Sequence, residues 1–510
     1  MPGSASNTQL ETQRVLPSGA GRAVVIGSGF GGLAAAIRLQ ARGYQTTLLE
    51  MRDRPGGRAY VYEQDGFKFD AGPTIVTVPF LIDELFALAG KKTSDYVQIV
   101  PCHPYYRIVF HDGRVFDYTG DESQIIEEIR KFNPDDVEGY RRFLAKTKKL
   151  FDRGFTDLAD RPFSSIWDMV KVAPDLLRLG AHQSVYRLVA RYIRSPHLRQ
   201  VFSFNPLLIG GNPFQSSSIY AMIHYLERQW GIQSVIGGTG ALVNAFVRLF
   251  EELGGTLRCD ARVDRIVVEH GRVRGVRVKD VFIPANIVVS NADVANTYRK
   301  LIEPKWRRKW TDCRLERMRY SMSLFIVYFG TDRTYPNLAH HTILLGPRYK
   351  GLLDDIFRRK ILARDFSLYL HAPTRTDPSL APPGCECFYA LSPVPNLQGR
   401  IDWEREKEAY ADAILASLER HCPDLRKHIV TRRILTPKNF LNDLDSYAGS
   451  AFSFEPVLTQ SAWFRPHNVS EDMKGLYFAG AGTHPGAGVP GVLSSAKLLD
   501  RVIPPPDSRR

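Results

Sequence analysis

The sequence predicts an α/β protein whose Rossmann-like domain is assembled from three separated segments, beside a mixed-sheet domain and a helical subdomain. Three observations predict it. The first is Val24-Val25-Ile26 running into Gly27-Ser28-Gly29-Phe30-Gly31-Gly32, a buried parallel strand that opens through Gly-x-Gly-x-x-Gly into a helix. The second is Gly237-Gly238-Thr239-Gly240, a glycine turn before a helix that runs through Leu253 and is capped by Gly254-Gly255. The third is Gly475-Leu476-Tyr477-Phe478-Ala479-Gly480-Ala481-Gly482, a strand and glycine turn followed by Pro490-Gly491-Val492 and a helix from Leu493 to Val502.

Taken in order, Gly27 permits the tight turn, Gly29 lets backbone amides approach a pyrophosphate, and Gly32 lets the helix pack closely on the strand. The next strand, Thr46 to Leu49, ends at Glu50, where a carboxylate can accept hydrogen bonds from both ribose hydroxyls. Strand, helix, second strand and acid at this spacing specify a dinucleotide site. Pro55-Gly56-Gly57-Arg58 adds a second glycine turn that can pass beneath the diphosphate, with Arg58 to neutralise it. A nicotinamide-only unit has no need of that turn. Gly66 to Phe69 then reads as a short strand leading into the rigid turn Asp70-Ala71-Gly72-Pro73-Thr74. Residues 81–90 form a short apolar helix, and residues 256–289 form a meander with turns at His270-Gly271 and Lys279-Asp280. No second dinucleotide fingerprint follows, which favours oxygen or a quinone over a nicotinamide as electron acceptor.

Length and composition frame this reading. A chain of 510 residues accommodates two or three packed domains. The net charge of +14 implies an acidic partner surface. No glycine–aromatic RNA signature or zinc-ligand spacing supports nucleic acid. The six cysteines form no disulfide framework, and no run approaches the ~18 apolar residues of a membrane span. Residues 1–21 lack the features of a signal peptide and read as a disordered tail.

The residues quoted so far resemble the FAD-binding N-terminus of amine-oxidase-like flavoproteins, and specifically of bacterial-type phytoene desaturases. The resemblance runs from about Arg22 to Val502, through Phe202 to Phe214, Ala339-His340-His341-Thr342, Phe366 to Pro373, Pro456 to Pro466 and Thr483-His484-Pro485-Gly486. It implies an FAD domain from 22–90, 231–296 and 470–503, and a substrate domain from 91–140, 297–346 and 362–469. A helical, membrane-associated region would span 141–230. The implied cofactor residues are Gly27, Ser28, Gly29, Phe30, Gly31 and Gly32 in the first turn, then Glu50, Arg52, Gly57 and Arg58. Asp70, Gly72, Pro73 and Thr74 would reach the ribityl or ring end, and Val263 the adenine. Gly480, Gly482 and His484 would cap the flavin, and the Gly491 and Val492 amides would face its pyrimidine end.

The implied reaction moves a hydride from a saturated carbon of phytoene, and of the carotene intermediates, to the flavin while a neighbouring carbon loses a proton. The product would be neurosporene or lycopene. Asp168, amid apolar residues in Phe163 to Val170, is the candidate base, with a solvated pair to Lys171 as the plainer reading. His340 and His341, adjacent on a strand, point to opposite faces and hold no metal. Phe202, Phe204, Phe325, Tyr328, Phe366 and Tyr369 are candidates for lining an apolar tunnel.

Three basic, apolar segments are candidate contacts with a lipid surface: the helix at 185–199, Lys305 to Trp310, and 351–361. They predict a peripheral enzyme on the cytoplasmic face of a membrane, with room for a homo-oligomer. Alternatives are a hydroxy- or methoxyneurosporene desaturase, a carotenoid isomerase, a flavin amine oxidase, or a non-catalytic lipid-binding relative.

Overall fold

Strand Arg22–Ile26 pairs in parallel with Ile287–Ser290 on one side and Gln45–Leu49 on the other. Leu476–Phe478 and Thr256–Arg258 complete a five-stranded parallel sheet. In this computed structural model the described residues are 21–506 except 160 and 164, so the predicted tail lies outside them save Gly21. Helix Phe30–Ala41 packs on the sheet together with Gly238–Glu252 and Val489–Val502. Its residues Phe30 to Leu39 are all buried, which its small side chains Gly31, Gly32 and Ala34 to Ala36 allow. The opposite face is covered by the meander Arg265–Glu269, Arg272–Val278 and Val281–Pro284, with His270 and Lys279 at positive φ in its turns.

The second sheet has seven strands in the order Ile429–Leu435, Ser323–Thr331, Glu386–Val394, Leu368–His371, His341–Leu345, Tyr106–Phe110 and Val115–Tyr118. Every pairing is antiparallel except His341–Leu345 with Tyr106–Phe110. Alternation along Ser323–Thr331 sorts its side chains to two faces. Leu324, Ile326 and Tyr328 point to one cluster, whereas Phe325, Val327 and Phe329 pack with helix Trp403–Leu418.

Several further helices gather between residues 122 and 230. The predicted helix over 185–199 is two helices, Val185–Ala190 and Pro196–Ser203, because Ser195 caps the second and Pro196 stands in its first turn. Val185, Leu188, Val189 and Ile193 are fully buried. Trp310 is likewise buried, donating to Glu471 at 3.0 Å, and Leu352, Leu353, Ile356 and Phe357 are core residues. All three segments singled out for lipid therefore spend most of their apolar side chains inside the protein. The exposed apolar face stands instead on helix Ile166–Arg178, where Trp167 is 68% exposed and Leu177 61%. No described helix is long and apolar enough to cross a membrane.

Candidate functional site

The two glycine turns meet at the carboxyl ends of the parallel strands. Ser28 joins them: its hydroxyl donates to Glu50 Oε2 at 2.5 Å and accepts from the Gly56 amide at 3.2 Å. Glu50 also accepts from the Ser28 and Arg52 amides, so three donors aim the carboxylate before any ribose arrives. Gly29 and Gly57 face each other closely, since a Cβ on Gly57 would lie 3.2 Å from Gly29 Cα. A Cβ on Gly32 would lie 1.9 Å from the Gly27 carbonyl, so that glycine serves helix–strand packing.

A single cavity of about 630 Å³ runs from this cradle into an apolar lobe. Gly27 to Gly31, Glu50, Arg52, Gly57, Arg58, Gly72 to Thr74, Val263, Gly491 and Val492 all line it. Helix Val489–Val502 starts earlier than the sequence implied, so the Val492 amide is spent on the Gly488 carbonyl at 3.0 Å. With Pro490 lacking an N–H, the Val489 and Gly491 amides are left at the helix end that faces the cavity.

Arg58 is held between segments far apart in sequence, donating to the Ala451 carbonyl at 2.7 Å and the Ser446 hydroxyl at 3.0 Å. Burial lowers its pKa, and the charge of Asp293 opposes that shift. Asp293 was not singled out in the sequence. It lines the cavity with a buried Oδ2 that has no hydrogen-bond partner. Asn291 was missed too. Its amide lies against Gly29, Gly31 and Gly480 and donates to the Ala479 carbonyl at 2.8 Å.

Five expected site residues stand elsewhere. Asp70 is turned away from the cavity and accepts from the Thr239 amide, capping helix Gly238–Glu252. Desolvation raises its pKa despite those amide donors. Gly480 packs on Asn291 and Gly482 on Val294, while Ala481 between them lines the cavity. His484 is buried, bonded to the Leu158 carbonyl at 3.1 Å, and burial brings its pKa to about 4, so it is neutral. Asp168 accepts from the Ser165 amide at 3.0 Å as the capping-box partner of helix Ile166–Arg178. Its apolar neighbours Ile166, Trp167 and Val170 are exposed, and Asp168 does not line the cavity.

The lobe is lined by alternate residues of the seven-stranded sheet, among them Leu324, Ile326, Ile343, Tyr369 and Tyr389, facing Phe204, Leu207 and Leu226. Of the six aromatic candidates Phe204 and Tyr369 reach it. Phe202 is in the helical core, Phe325 and Phe366 pack on Tyr410, and Tyr328 donates to the Ala71 carbonyl. Thr74 links the cradle to the lobe through the Tyr389 hydroxyl at 2.6 Å and the Tyr369 hydroxyl at 3.2 Å.

His340 precedes strand His341–Leu345, so strand alternation does not separate the two histidines. Both lie near Cys102 within a group of metal-ligand spacing. Their nitrogens are committed, however. His340 pairs with Thr376 and His371, and His341 with Tyr369 and Cys102, whose thiol is pushed up to about 12 by burial.

The family model for flavin containing amine oxidoreductase matches residues 30–498. The chain is 54% identical to phytoene desaturase (lycopene-forming) of Pseudescherichia vulneris, over 93% of this chain and 97% of that protein. It is 44% identical to phytoene desaturase (neurosporene-forming) of Rhodobacter capsulatus, covering 95% and 94%. Among solved structures, a putrescine oxidase variant superposes with TM-score 0.65 at 15% identity, covering 95% of this chain and 99% of that one. An oxidoreductase from Methanosarcina mazei gives 0.61 at 17%, covering 94% and 100%. Both show the α/β fold with mixed sheets. With a paired glycine cradle opening on an apolar lobe, and relatives aligned almost end to end, the chain belongs to the flavin containing amine oxidoreductases, among the bacterial phytoene desaturases.

Proposed function

We propose that this protein is an FAD-dependent phytoene desaturase that introduces successive double bonds into phytoene, with lycopene or neurosporene as product. The single observation that carries this reading is the continuity of the cavity. One end is a dinucleotide cradle, and the other is walled by Leu, Ile, Phe and Tyr side chains that suit a hydrocarbon chain. The greater identity to lycopene-forming relatives supports lycopene.

The residues present fit FAD. Glu50 is placed for a ribose, the facing glycines leave room for a diphosphate, and Asp293 Oδ2 awaits a donor. The Val489 and Gly491 amides at a helix N-terminus suit an electron-rich ring edge. Bound there, FAD supplies hydride-accepting chemistry. The protein's part is to hold the polyene against the ring and keep water out, which the apolar lobe does through shape and area.

Oxygen or a quinone serves as terminal acceptor in this reading. The enzyme lies on a lipid surface, docked through helix Ile166–Arg178. Ile166, Trp167, Val170 and Leu177 form its exposed apolar face, with Lys171 and Arg178 beside them for anionic headgroups. The cavity reaches Gly154, Phe155 and Ala159, just before that helix, which supports loading from the bilayer. The test is incubation of the FAD-loaded protein with phytoene in liposomes, read by absorption. Growth of visible polyene bands is expected. Flavin retention without any longer-conjugated product overturns the reading.

A further inference from the structure

The apolar lobe contains one carboxylate among its described residues. Glu227, on helix Met222–Trp230, is 1% exposed and lines the cavity beside Phe204, Leu226 and Tyr369. The other lining acids, Glu50, Asp264, Asp293, Asp443 and Asp445, belong to the cradle and its rim. Among the described residues Glu227 forms no ion pair. Its Oε1 accepts from the Tyr106 hydroxyl at 2.8 Å and its Oε2 from the Asn205 amide at 3.0 Å. A polar side chain in a pocket for hydrocarbon is costly, so a carboxylate held there by dedicated donors calls for a chemical reason.

Resting on the desaturase reading above, we propose that Glu227 is the acid–base residue of the lobe, accepting the proton that the polyene loses. In each desaturation one carbon gives up a hydride, whose electron pair goes to the oxidised flavin. The adjacent carbon gives up a proton to the Glu227 carboxylate, which becomes the neutral acid. The C–H bonding pair left behind becomes the new double bond, so the substrate is oxidised by two electrons and the flavin reduced by two. The proton then returns to solvent as Glu227 ionises again.

Three observations agree with that role. Burial pushes the Glu227 carboxyl up to about 7, against hydrogen bonds from Tyr106 and Asn205, so both forms are populated near neutrality. The groups packed around it do not compete for the proton. Tyr106 and Tyr118 are raised well above the ordinary tyrosine range, and His224, which is bonded to Tyr118, is brought to about 3. Arg228 adds a nearby positive charge. Finally, polar side chains lie between Glu227 and the cofactor loop. The Tyr106 and His341 rings are tilted at 46° with centroids 6.0 Å apart, His341 bonds to Tyr369 at 2.7 Å, and Tyr369 bonds to Thr74.

The test compares wild type, Glu227→Gln, Glu227→Asp and Tyr106→Phe, each FAD-loaded. Infrared spectra of the proteins alone come first. Wild type is expected to show a protonated carboxyl band that fades as pH rises through about 7, and Glu227→Gln to lack it. Anaerobic flavin bleaching with phytoene liposomes follows. The wild-type rate is expected to rise with pH over the same range, and Glu227→Gln to fall about 10²–10⁴-fold with a flat profile. Glu227→Asp restores part of the rate. Tyr106→Phe, which removes one donor to the carboxylate, shifts the wild-type midpoint upward. Glu227→Gln that bleaches flavin at the wild-type rate, or variants that keep the wild-type midpoint, overturn the assignment. Failure of the wild type itself to bleach or to form product overturns the desaturase reading instead.

Discussion

Asp70 Oδ2 accepts from the Thr239 amide at 2.9 Å, tying the end of strand Phe67–Asp70 to the first turn of helix Gly238–Glu252. Asp377 holds the Gly237 amide at 2.6 Å, so two carboxylates from distant segments occupy that helix end. Asp70→Ala is expected to lower stability by ~1 kcal/mol, as loss of a cap does. It also loosens the Gly72–Thr74 loop that follows, and so weakens flavin retention. Asp70→Asn keeps an acceptor and recovers most of both. Thermal unfolding and the flavin-to-protein absorbance ratio check this. An Asp70→Ala protein that loses flavin at unchanged stability contradicts it.

The glycines of the first turn separate by what a methyl group would meet. Gly32→Ala places Cβ against the Gly27 carbonyl, backbone against backbone, and is expected to cost ~3 kcal/mol or more and abolish soluble holoenzyme. Gly29→Ala meets only the end of the Asn291 side chain at 3.0 Å, so the fold survives while the methyl obstructs the diphosphate path. The signature is a folded, colourless Gly29→Ala protein beside a misfolded Gly32→Ala protein.

Neighbouring residues on one strand are expected to fail in different ways. Phe325→Ala empties a site in the core against Trp403 and Tyr410 and costs ~3–5 kcal/mol, measurable by denaturant unfolding. Ile326→Trp intrudes on the lobe and shortens or blocks the desaturation series, read from the product spectrum. If Phe325→Ala changes the products at full stability, the assignment of faces is reversed.

Five of the six buried histidines among the described residues predict acid sensitivity without an ion-pair partner, unlike His467, which faces Glu471. His224, His340 and His484 are brought to about 3, 4 and 4, and His341 and His371 well below the ordinary value, all chiefly by desolvation. As pH falls from 6.5, the unfolded chain binds protons that the native protein refuses. Stability is therefore full above 6.5 and declines toward pH 4. Glu227 opposes this over part of the window, because its raised pKa keeps the native state protonated where the unfolded chain has ionised. Asp70, Asp293 and Glu455, likewise raised by burial, act in the same direction as Glu227, but the five histidines outnumber these four carboxyls, so the unfolding temperature is expected to drop below pH 6.5. A constant or rising value there excludes this account.

Replacing Trp167, Val170 and Leu177 together by Ser is expected to cut liposome binding about tenfold or more, with unfolding shifted by no more than ~0.5 kcal/mol. Sedimentation with anionic vesicles checks it. Retained binding places the docking face elsewhere.

Much of the nucleotide half was legible in the sequence because its logic is local. Gly27, Gly29, Gly32 and Glu50 act through turn geometry and strand ends at short spacing. The reading of Asp168, of the aromatic strand residues and of the lipid contacts required knowledge of which side chains are buried and against what. Residue type carries little of that. Phe325 and Ile326 are equally apolar, and only sheet pairing sends one to a helix and the other to the cavity. The sequence offered Trp310 as an interfacial residue and Trp167 only as an apolar neighbour of Asp168, yet the fold buries the first and exposes the second. Glu227 was silent because a lone glutamate on a helix reads as solvent-facing. The sequence by itself determined the cofactor class and the family. Tertiary structure alone decided which acid is desolvated, which face is greasy, and where an apolar lobe opens, because burial is set by contacts between segments hundreds of residues apart.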